Sequence, residues 1–155
     1  MKIVSLEDDE PFWNLLKQAM EEEFGGVELC WVRTESQFYE QLPEFIANPP
    51  DIFLLDVMVK WADAAERVPE PPDDVKKESY YRAGLRCRKR LLDNPTTANV
   101  PVILFTVLER TDIEEVINGL PDRTFYVGKS SDFRELIREI RKIRKTPTLK
   151  RSSAR

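Results

Sequence analysis

The chain of 155 residues contains no histidine and only two cysteines. Without an imidazole, no Ser-His or Cys-His catalytic pair and no histidine-ligated metal site can form. Cys30 and Cys87 lie far apart in apolar segments and lack metal-ligand spacing. We therefore expect two reduced thiols rather than a disulfide or a catalytic thiol. The five glycines form no phosphate-binding glycine loop, which excludes P-loop chemistry.

Long apolar runs are also missing from the sequence. No run approaches the roughly 18 residues that a membrane-spanning helix needs. The N-terminus passes directly into acidic residues without a secretory pattern. The 41% apolar content is nevertheless enough to bury a sizeable core, and the length suits one domain. We therefore expect a soluble cytoplasmic protein with no membrane partner.

Acidic side chains are absent from the C-terminal end of the chain. Residues 141–155 contain seven basic side chains and no acid, whereas the preceding residues carry 17 basic and 28 acidic side chains, a net charge of −11. We expect a folded domain of residues 1–145 followed by a basic, disordered tail of residues 146–155. The tail is interpreted as solubilising rather than as an arm that binds nucleic acid or membrane.

Short apolar runs alternate with helical patterns along the chain. This alternation is typical of repeated βα units that form a parallel sheet covered on both faces. The pattern therefore predicts an α/β fold with five such units. The predicted strands are residues 2–6, 27–32, 52–55, 102–105 and 124–127. The predicted helices start near Pro11, Thr34, Tyr80, Thr111 and Phe133, and Pro43 is expected to bend or shorten the second of them.

One stretch, residues 61–79, interrupts this alternation between the third strand and the third helix. It contains three prolines and many charges, and it shows neither strand alternation nor helical periodicity. We predict an irregular insert in which Trp61 packs against the domain. Long irregular loops in compact domains tend to be functional or disordered. The insert is interpreted either as a mobile lid or docking loop, or as a tolerated surface insertion without a role.

Polar side chains stand where four of the predicted strands end. Ligands of an open parallel sheet bind outside the carboxyl ends of its strands, so we expect these side chains to converge. Converging carboxylates repel one another unless a cation lies among them, and Mg²⁺ prefers oxygen ligands. Beside such a cation a carboxylate can attack phosphorus to form an aspartyl phosphate, while an ammonium and a hydroxyl neutralise charge. The residues are Glu7, Asp8 and Asp9 after the first strand, Asp56 after the third, Thr106 in the fourth and Lys129 after the fifth, with Asp9 expected to cap a helix.

In residue type and order, these positions resemble the response-regulator receiver domains of two-component signalling systems, over about residues 2–143. Residues 6–9 are similar to the acidic turn of that family, residues 51–58 to its phosphoacceptor strand and residues 100–106 to its hydroxyl-bearing strand. Lys129 stands at the position of the family's lysine, and Tyr126 at its aromatic switch position. Taken alone, Tyr126 suits a core aromatic equally well.

The resemblance implies a flavodoxin-like (βα)5 three-layer sandwich with a parallel five-stranded sheet of order 2-1-3-4-5. It implies that Asp56 accepts a phosphoryl group from a phosphohistidine of a sensor histidine kinase or a histidine phosphotransfer protein. Because no recognisable output domain follows residue 145, we expect a stand-alone signalling phosphoacceptor, not an enzyme, that acts on a separate downstream protein. The implied residues are Glu7, Asp8, Asp56 and the Met58 carbonyl for Mg²⁺, Thr106 and Lys129 for phosphoryl transfer, and Thr106 and Tyr126 for the switch.

Three positions depart from the pattern of the family. Ser130 follows Lys129 where the family usually has proline, Val107 occupies a position that is usually small, and Lys60 replaces a common proline. The alternative is therefore a degenerate receiver that serves as a phosphorylation-independent interaction module. A phosphatase of the haloacid-dehalogenase type is disfavoured, since residue 58 is Met where that class needs a second aspartate.

Overall fold

A computed structural model describes residues 1–64, 67–114, 118–119, 123–130 and 132–145. The five strands form one parallel sheet in the order β2-β1-β3-β4-β5. The strands are β1 (Lys2–Leu6), β2 (Glu28–Val32), β3 (Ile52–Leu55), β4 (Val102–Thr106) and β5 (Thr124–Gly128). The predicted fold class and strand order are therefore confirmed.

The helices pack on both faces of this sheet, which makes the three-layer sandwich. One face carries an apolar cluster with side chains of the first and last helices, and the other carries a cluster built largely with the second and fourth helices. Because they are covered on both faces, β3 and β4 consist entirely of buried residues. The helices are α1 (Glu10–Glu23), α2 (Glu35–Ala47), α3 (Asp73–Glu78), α4 (Ala83–Leu92), α5 (Pro95–Ala98) and α6 (Arg134–Lys145), with short 3₁₀ turns at Ser79–Arg82 and Arg110–Asp112.

The first two helices begin at their expected caps. Asp9 caps α1, because its carboxylate accepts the Phe12 amide at 3.0 Å. Pro43 was expected to bend or shorten α2, yet the helix continues through it to Ala47, so Pro43 does not shorten it, and the bend stays a prediction. The rings of Phe38 and Phe45 pack against Phe53 of the sheet, and this burial outweighs the single backbone hydrogen bond that proline removes.

The expectation that residues 61–79 lack regular structure is also wrong, since they contain α3. The helix that follows begins at Ala83 rather than Tyr80, after the 3₁₀ turn. As expected, Trp61 packs on the domain: its ring lies edge-on to that of Tyr39 with centroids 5.5 Å apart. Its indole also donates to the carbonyl of Pro69 at 2.7 Å.

Both ends of this insert are attached to the start of α2. At the first end, the amides of Glu35 and Ser36 donate to the carbonyls of Lys60 and Trp61, at 3.1 and 2.9 Å. At the second end, the guanidinium of Arg86 binds both carboxylate oxygens of the fully buried Glu35 at 2.7 Å. Arg86 also donates to Glu78 at 3.2 Å and to the Ser79 carbonyl at 2.7 Å. We call Glu35, Glu78 and Arg86 the anchor cluster.

Two other expectations fall partly or wholly outside the described residues. The predicted fourth helix, from Thr111 to Gly119, spans residues 115–117, which are not described. Before them lies the 3₁₀ turn, in which the side chains of Glu109 and Asp112 each accept a backbone amide of the other residue. The basic tail of residues 146–155 lies entirely outside. None of the described helices is long and apolar enough to cross a membrane.

Candidate functional site

An acidic cluster lies at the carboxyl edge of the sheet, beyond the ends of β1 and β3. One carboxylate oxygen from each of Glu7, Asp8 and Asp56 lies within 4.8 Å of the other two. Glu7 and Asp56 are only 2% and 6% exposed, so their charges are poorly solvated. The structure therefore brings together three of the acids that the strand-end argument selected, while Asp9 turns away to cap α1.

Lys129, which follows β5, inserts its ammonium between two of these acids. Its Nζ lies 2.6 Å from Oδ2 of Asp56 and 2.7 Å from Oε2 of Glu7. It also lies 4.6 Å from the ring centroid of Phe12, a distance suited to a cation–π contact. We call Glu7, Asp8, Asp56 and Lys129 the acidic pocket. When all four groups are ionised, the pocket has an excess of two negative charges.

The pKa shifts in the acidic pocket follow from burial and from this charge imbalance. Burial is the main cause that raises the pKa of Glu7, and the attraction of Lys129 offsets only part of it. Burial acts to lower the pKa of Lys129, but the attraction of Asp56 and Glu7 outweighs it and raises that pKa overall. Both shifts indicate that the pocket favours additional positive charge.

The donor set of the pocket fits Mg²⁺. Three carboxylates supply hard oxygen atoms around one point, and Mg²⁺ is typically bound by one or two carboxylates together with waters and phosphate oxygens. The excess of two negative charges matches the charge of a divalent cation. Glu7, Asp8 and Asp56 are therefore the side chains that could hold it.

The backbone around Asp56 is held in place on both sides. The Asp56 amide donates to the Leu6 carbonyl at 3.0 Å, and the Met58 amide donates to Oδ1 of Asp56 at 3.1 Å. The start of α4 packs directly on this turn: a Cβ at Gly84 would lie 2.3 Å from the Asp56 carbonyl oxygen. Only glycine fits there. Sequence reasoning missed Gly84, although an isolated glycine near the start of a helical pattern is the signal for such close packing.

Asp8 links the pocket to the start of the insert. Its Oδ2 accepts a hydrogen bond from the Lys60 amide at 3.3 Å. The carbonyl of Lys60, in turn, accepts a hydrogen bond from the Glu35 amide. Lys60, singled out as a departure from the family pattern, thus lies between the acidic pocket and the anchor cluster. Its side chain points to Asp63 at 2.7 Å, so only its backbone faces the pocket.

Thr106 and Tyr126, the two expected switch residues, meet at the backbone of Leu108. The Thr106 hydroxyl accepts the Leu108 amide at 3.4 Å, and the Tyr126 hydroxyl donates to the Leu108 carbonyl at 2.7 Å. Thr106 is fully buried, whereas the Tyr126 ring is half-buried against the core. Tyr126 therefore packs as a core aromatic and binds the Leu108 backbone through its hydroxyl, and its role as a switch stays a prediction.

The remaining departures from the family pattern leave the pocket assembled. No cis peptide bond occurs among the described residues, so the Lys129–Ser130 bond is trans, and Lys129 nevertheless reaches both acids. Val107 is 68% exposed, so its side chain lies largely in solvent rather than inside the pocket. Its effect on the approach of another molecule stays a prediction.

Comparison with known proteins identifies the fold. No protein-family model and no curated protein sequence matches the chain. Among solved structures, the signal receiver domain of a DNA-binding response regulator from Colwellia psychrerythraea 34H has a TM-score of 0.66 and 22% identity, covering 94% of this chain and 99% of that one. The chain has the response-regulator receiver fold.

Two further receiver-fold structures have similar scores. The phosphorylated cyanobacterial phytochrome response regulator RcpA has a TM-score of 0.63 at 20% identity, covering 92% of this chain and 89% of that one. The Mn²⁺-bound form of response regulator Rcp1 has a TM-score of 0.62 at 20% identity, covering 95% and 96%. At such low identity the likeness establishes the receiver fold alone, and the roles of individual residues need an argument from this chain's own geometry.

Proposed function

We propose that the protein is a phosphoacceptor domain of a two-component or phosphorelay system and that Asp56 receives the phosphoryl group. The observation that carries the proposal is the position of Asp56. Its carboxylate ends a fully buried strand of a receiver fold and lies against the Lys129 ammonium and beside two further acids. As the resemblance to receiver domains implies, the proposed donor is a phosphohistidine on a sensor histidine kinase or a histidine phosphotransfer protein, and the absence of histidine from this chain is consistent with a donor on a partner.

The reaction is an in-line phosphoryl transfer. A carboxylate oxygen of Asp56 forms a bond to phosphorus, the bond from phosphorus to the donor's imidazole nitrogen breaks, and that nitrogen keeps the electron pair. Mg²⁺, held by Glu7, Asp8, Asp56 and the Met58 carbonyl, would neutralise negative charge on the phosphoryl oxygens. Lys129 would contribute a second positive charge, because its ammonium already lies within hydrogen-bond distance of the attacking carboxylate.

Thr106 would donate its hydroxyl hydrogen to a phosphoryl oxygen. A hydroxyl can accept and donate at the same time, so the bond that Thr106 accepts from the Leu108 amide leaves its hydrogen available. Movement of Thr106 towards the phosphoryl group would pull on Leu108, which also binds the Tyr126 hydroxyl. We propose that this linkage changes the surface near β5 and α6 and so alters binding to a separate downstream protein in the cytoplasm.

One observation favours the alternative of a phosphorylation-independent interaction module. Lys129 already binds both Glu7 and Asp56 directly, so part of the charge repulsion in the pocket is relieved without any added cation. A degenerate receiver of this kind would keep its shape and its partner regardless of phosphate.

Labelling by a small phosphodonor separates the two functions. The protein is incubated with acetyl phosphate and Mg²⁺, or with acetyl phosphate and a chelator, and intact mass is measured. A phosphoryl adduct that forms only with Mg²⁺ and maps to Asp56 is expected for a phosphoacceptor. No adduct in folded protein that binds Mg²⁺ would refute the phosphoacceptor function and favour the interaction module.

A further inference from the structure

The side chain of Trp31, on the edge strand β2, is bonded to the backbone of the acidic pocket. Its indole N–H donates to the Glu7 carbonyl oxygen at 2.7 Å. The Glu7 amide, in turn, donates to the Val32 carbonyl at 2.9 Å. Both backbone polar groups of Glu7 are thus satisfied by β2, one by its main chain and the other by a side chain.

The Trp31 indole supplies a hydrogen-bond donor at the point where the regular pairing of β1 with β2 ends. The last paired residues of β1 and β2 are Leu6 and Val32. Beyond them, the Arg33 amide donates to Oε1 of Gln37 at 3.0 Å instead of to β1. The carbonyl of the buried Glu7 therefore depends on the Trp31 side chain for its hydrogen bond, since a buried carbonyl without a donor is unfavourable.

The donor itself is held rigidly. The ring of Trp31 stacks on that of Trp13 in α1, with centroids 5.3 Å apart and planes 9° from parallel. The guanidinium of Arg33 lies 5.0 Å from the centroid of the Trp31 ring, within the range of a cation–π contact. Trp13 is itself buried, so the indole N–H has a fixed direction.

The Glu7 carbonyl belongs to the peptide unit that joins Glu7 to Asp8. Because a peptide unit is planar, a bond that holds its oxygen restricts the orientation of the plane that contains the α-carbons of both acidic residues. The Glu7 carboxylate is then oriented by two further bonds: Oε1 accepts the Asp9 amide at 3.1 Å and Oε2 meets Lys129. The Asp9 amide and Lys129 both bind the Glu7 carboxylate, whereas Trp31 binds the backbone carbonyl between Glu7 and Asp8. Of these three partners in the described part of the chain, only Trp31 binds that backbone.

We propose that Trp31 is a positioning residue, which orients the Glu7–Asp8 peptide so that both carboxylates face one divalent cation. The inference rests on the proposed function, because it assigns Trp31 a role in cation binding at that same pocket. Partners that hold metal ligands in place typically contribute about 10-fold to 100-fold to metal affinity. Trp31 would act in this way without contacting the cation.

The test compares Trp31→Phe with Trp13→Phe. The first variant keeps an aromatic ring for the stack but removes the N–H, whereas the second weakens the same stack and leaves the Trp31 N–H in place. Mg²⁺ affinity is measured by isothermal titration calorimetry on protein shown by circular dichroism to be folded. We expect about tenfold weaker binding or more for Trp31→Phe and a smaller loss of affinity for Trp13→Phe, because that variant loosens the stack but keeps the N–H. Equal affinity in the two variants would overturn the inference.

Nuclear magnetic resonance adds a readout that needs no variant. In the wild-type protein, the Trp31 indole N–H resonance is expected to shift during Mg²⁺ titration with the same midpoint as the amides of Asp8 and Asp9. A stationary indole resonance while those amides shift would show that Trp31 only packs. This experiment decides the question even where Trp31→Phe fails to fold.

Failure of the proposed function has a different signature. If the wild-type protein binds no Mg²⁺, the cation site is wrong, and the inference about cation binding falls with it. The hydrogen bond from Trp31 to the Glu7 carbonyl is then tested without cation: a larger displacement of the Asp9 amide resonance in Trp31→Phe than in Trp13→Phe supports its orienting role. An Asp9 amide that is unchanged in Trp31→Phe refutes it.

Discussion

Two partly buried ion clusters are connected through the backbone of Lys60, whose amide binds one and whose carbonyl binds the other, and they differ in how their charges are balanced. In the acidic pocket, one ammonium faces three carboxylates. In the anchor cluster, each of the three guanidinium nitrogens of Arg86 has a partner among Glu35, Glu78 and the Ser79 carbonyl. The anchor cluster has an excess of one negative charge, and its second carboxylate, Glu78, is exposed to water. The acidic pocket has an excess of two, with both Glu7 and Asp56 buried, so it favours added positive charge more strongly. The comparison identifies the first as a candidate binding site and the second as a structural attachment.

The largest difference is expected from removing one carboxylate of each cluster. Asp56→Asn should abolish labelling by acetyl phosphate, because the amide cannot act as the nucleophile. Glu35→Gln, the matched change in the anchor cluster, should keep the label. Intact mass and a circular dichroism spectrum are measured for both variants. A phosphoryl adduct on folded Asp56→Asn would disprove the assignment of the acceptor.

The free energy of unfolding should depend more on the anchor cluster, whereas labelling depends on the acidic pocket. Arg86→Met leaves the fully buried Glu35 carboxylate without its cation, and breaking a buried pair in this way typically costs about 3–5 kcal/mol of unfolding free energy. The control is Arg138→Met, because Arg138 pairs with Glu135 at the surface, where a pair contributes less than about 1 kcal/mol. Both are measured by urea denaturation.

A double variant, Glu35→Gln with Arg86→Met, sharpens this second prediction. It removes the unpaired charge as well as the pair, so it should recover part of the stability that Arg86→Met loses. If the double variant were less stable than Arg86→Met, the loss would come from packing rather than from an uncompensated charge.

Of the two clusters, only the acidic pocket should affect the affinity for Mg²⁺. Glu7→Gln with Asp8→Asn removes two of the three negative charges that attract the cation, so Mg²⁺ binding should fall to the detection limit of calorimetry. Glu78→Gln in the anchor cluster should leave it unchanged. Undiminished Mg²⁺ binding by the pocket variant would place the cation elsewhere.

These clusters also differ in how far the sequence predicted them. The strands were predicted to within two residues, because buried parallel strands are continuous apolar runs with sharp ends. The acids of the pocket could be located because they follow such ends, and Lys129 because it follows the last one. The anchor cluster could not be predicted, since Glu35 and Arg86 lie 51 residues apart and neither belongs to a local motif. Helix α3 was missed for a different reason: it is short and polar, and only Val75 is buried, so it shows no apolar periodicity.

The pH dependence of the unfolding free energy should also distinguish the acidic pocket from the anchor cluster. The raised pKa of Lys129 means that its pairing stabilises the fold fully below the lysine's ordinary value of 10.5 and is lost as pH rises through the folded-state pKa above it. With a chelator present, the stability difference between wild type and Lys129→Met should therefore narrow above about pH 10.5. The difference between wild type and Arg86→Met should not, since a guanidinium stays charged there. If both stability differences changed with pH in the same way, the effect would not come from the titration of Lys129.

The smallest effect is expected from the insert that the anchor cluster holds. Replacing residues 62–78 by a short Gly-Ser linker removes Glu78 but keeps the bonds of Arg86 to Glu35 and to Ser79. Folding should therefore survive, because lengthening or shortening a surface loop costs little. Labelling by acetyl phosphate should also keep its rate, since no residue of the acidic pocket lies within the replaced segment.

What the replacement should change is transfer from the cognate kinase or the binding of the downstream protein. Lys60, at the start of the insert, donates to Asp8, so the insert leaves the fold at the rim of the pocket, where a protein donor must approach. Glu78→Gln is the matched control, because it weakens one contact of the insert and leaves the insert itself in place. A slower transfer from the kinase in the replacement variant alone would identify a docking loop. Unaltered transfer and partner binding in both would show that the insert is a tolerated addition, attached by the anchor cluster but without a part in signalling.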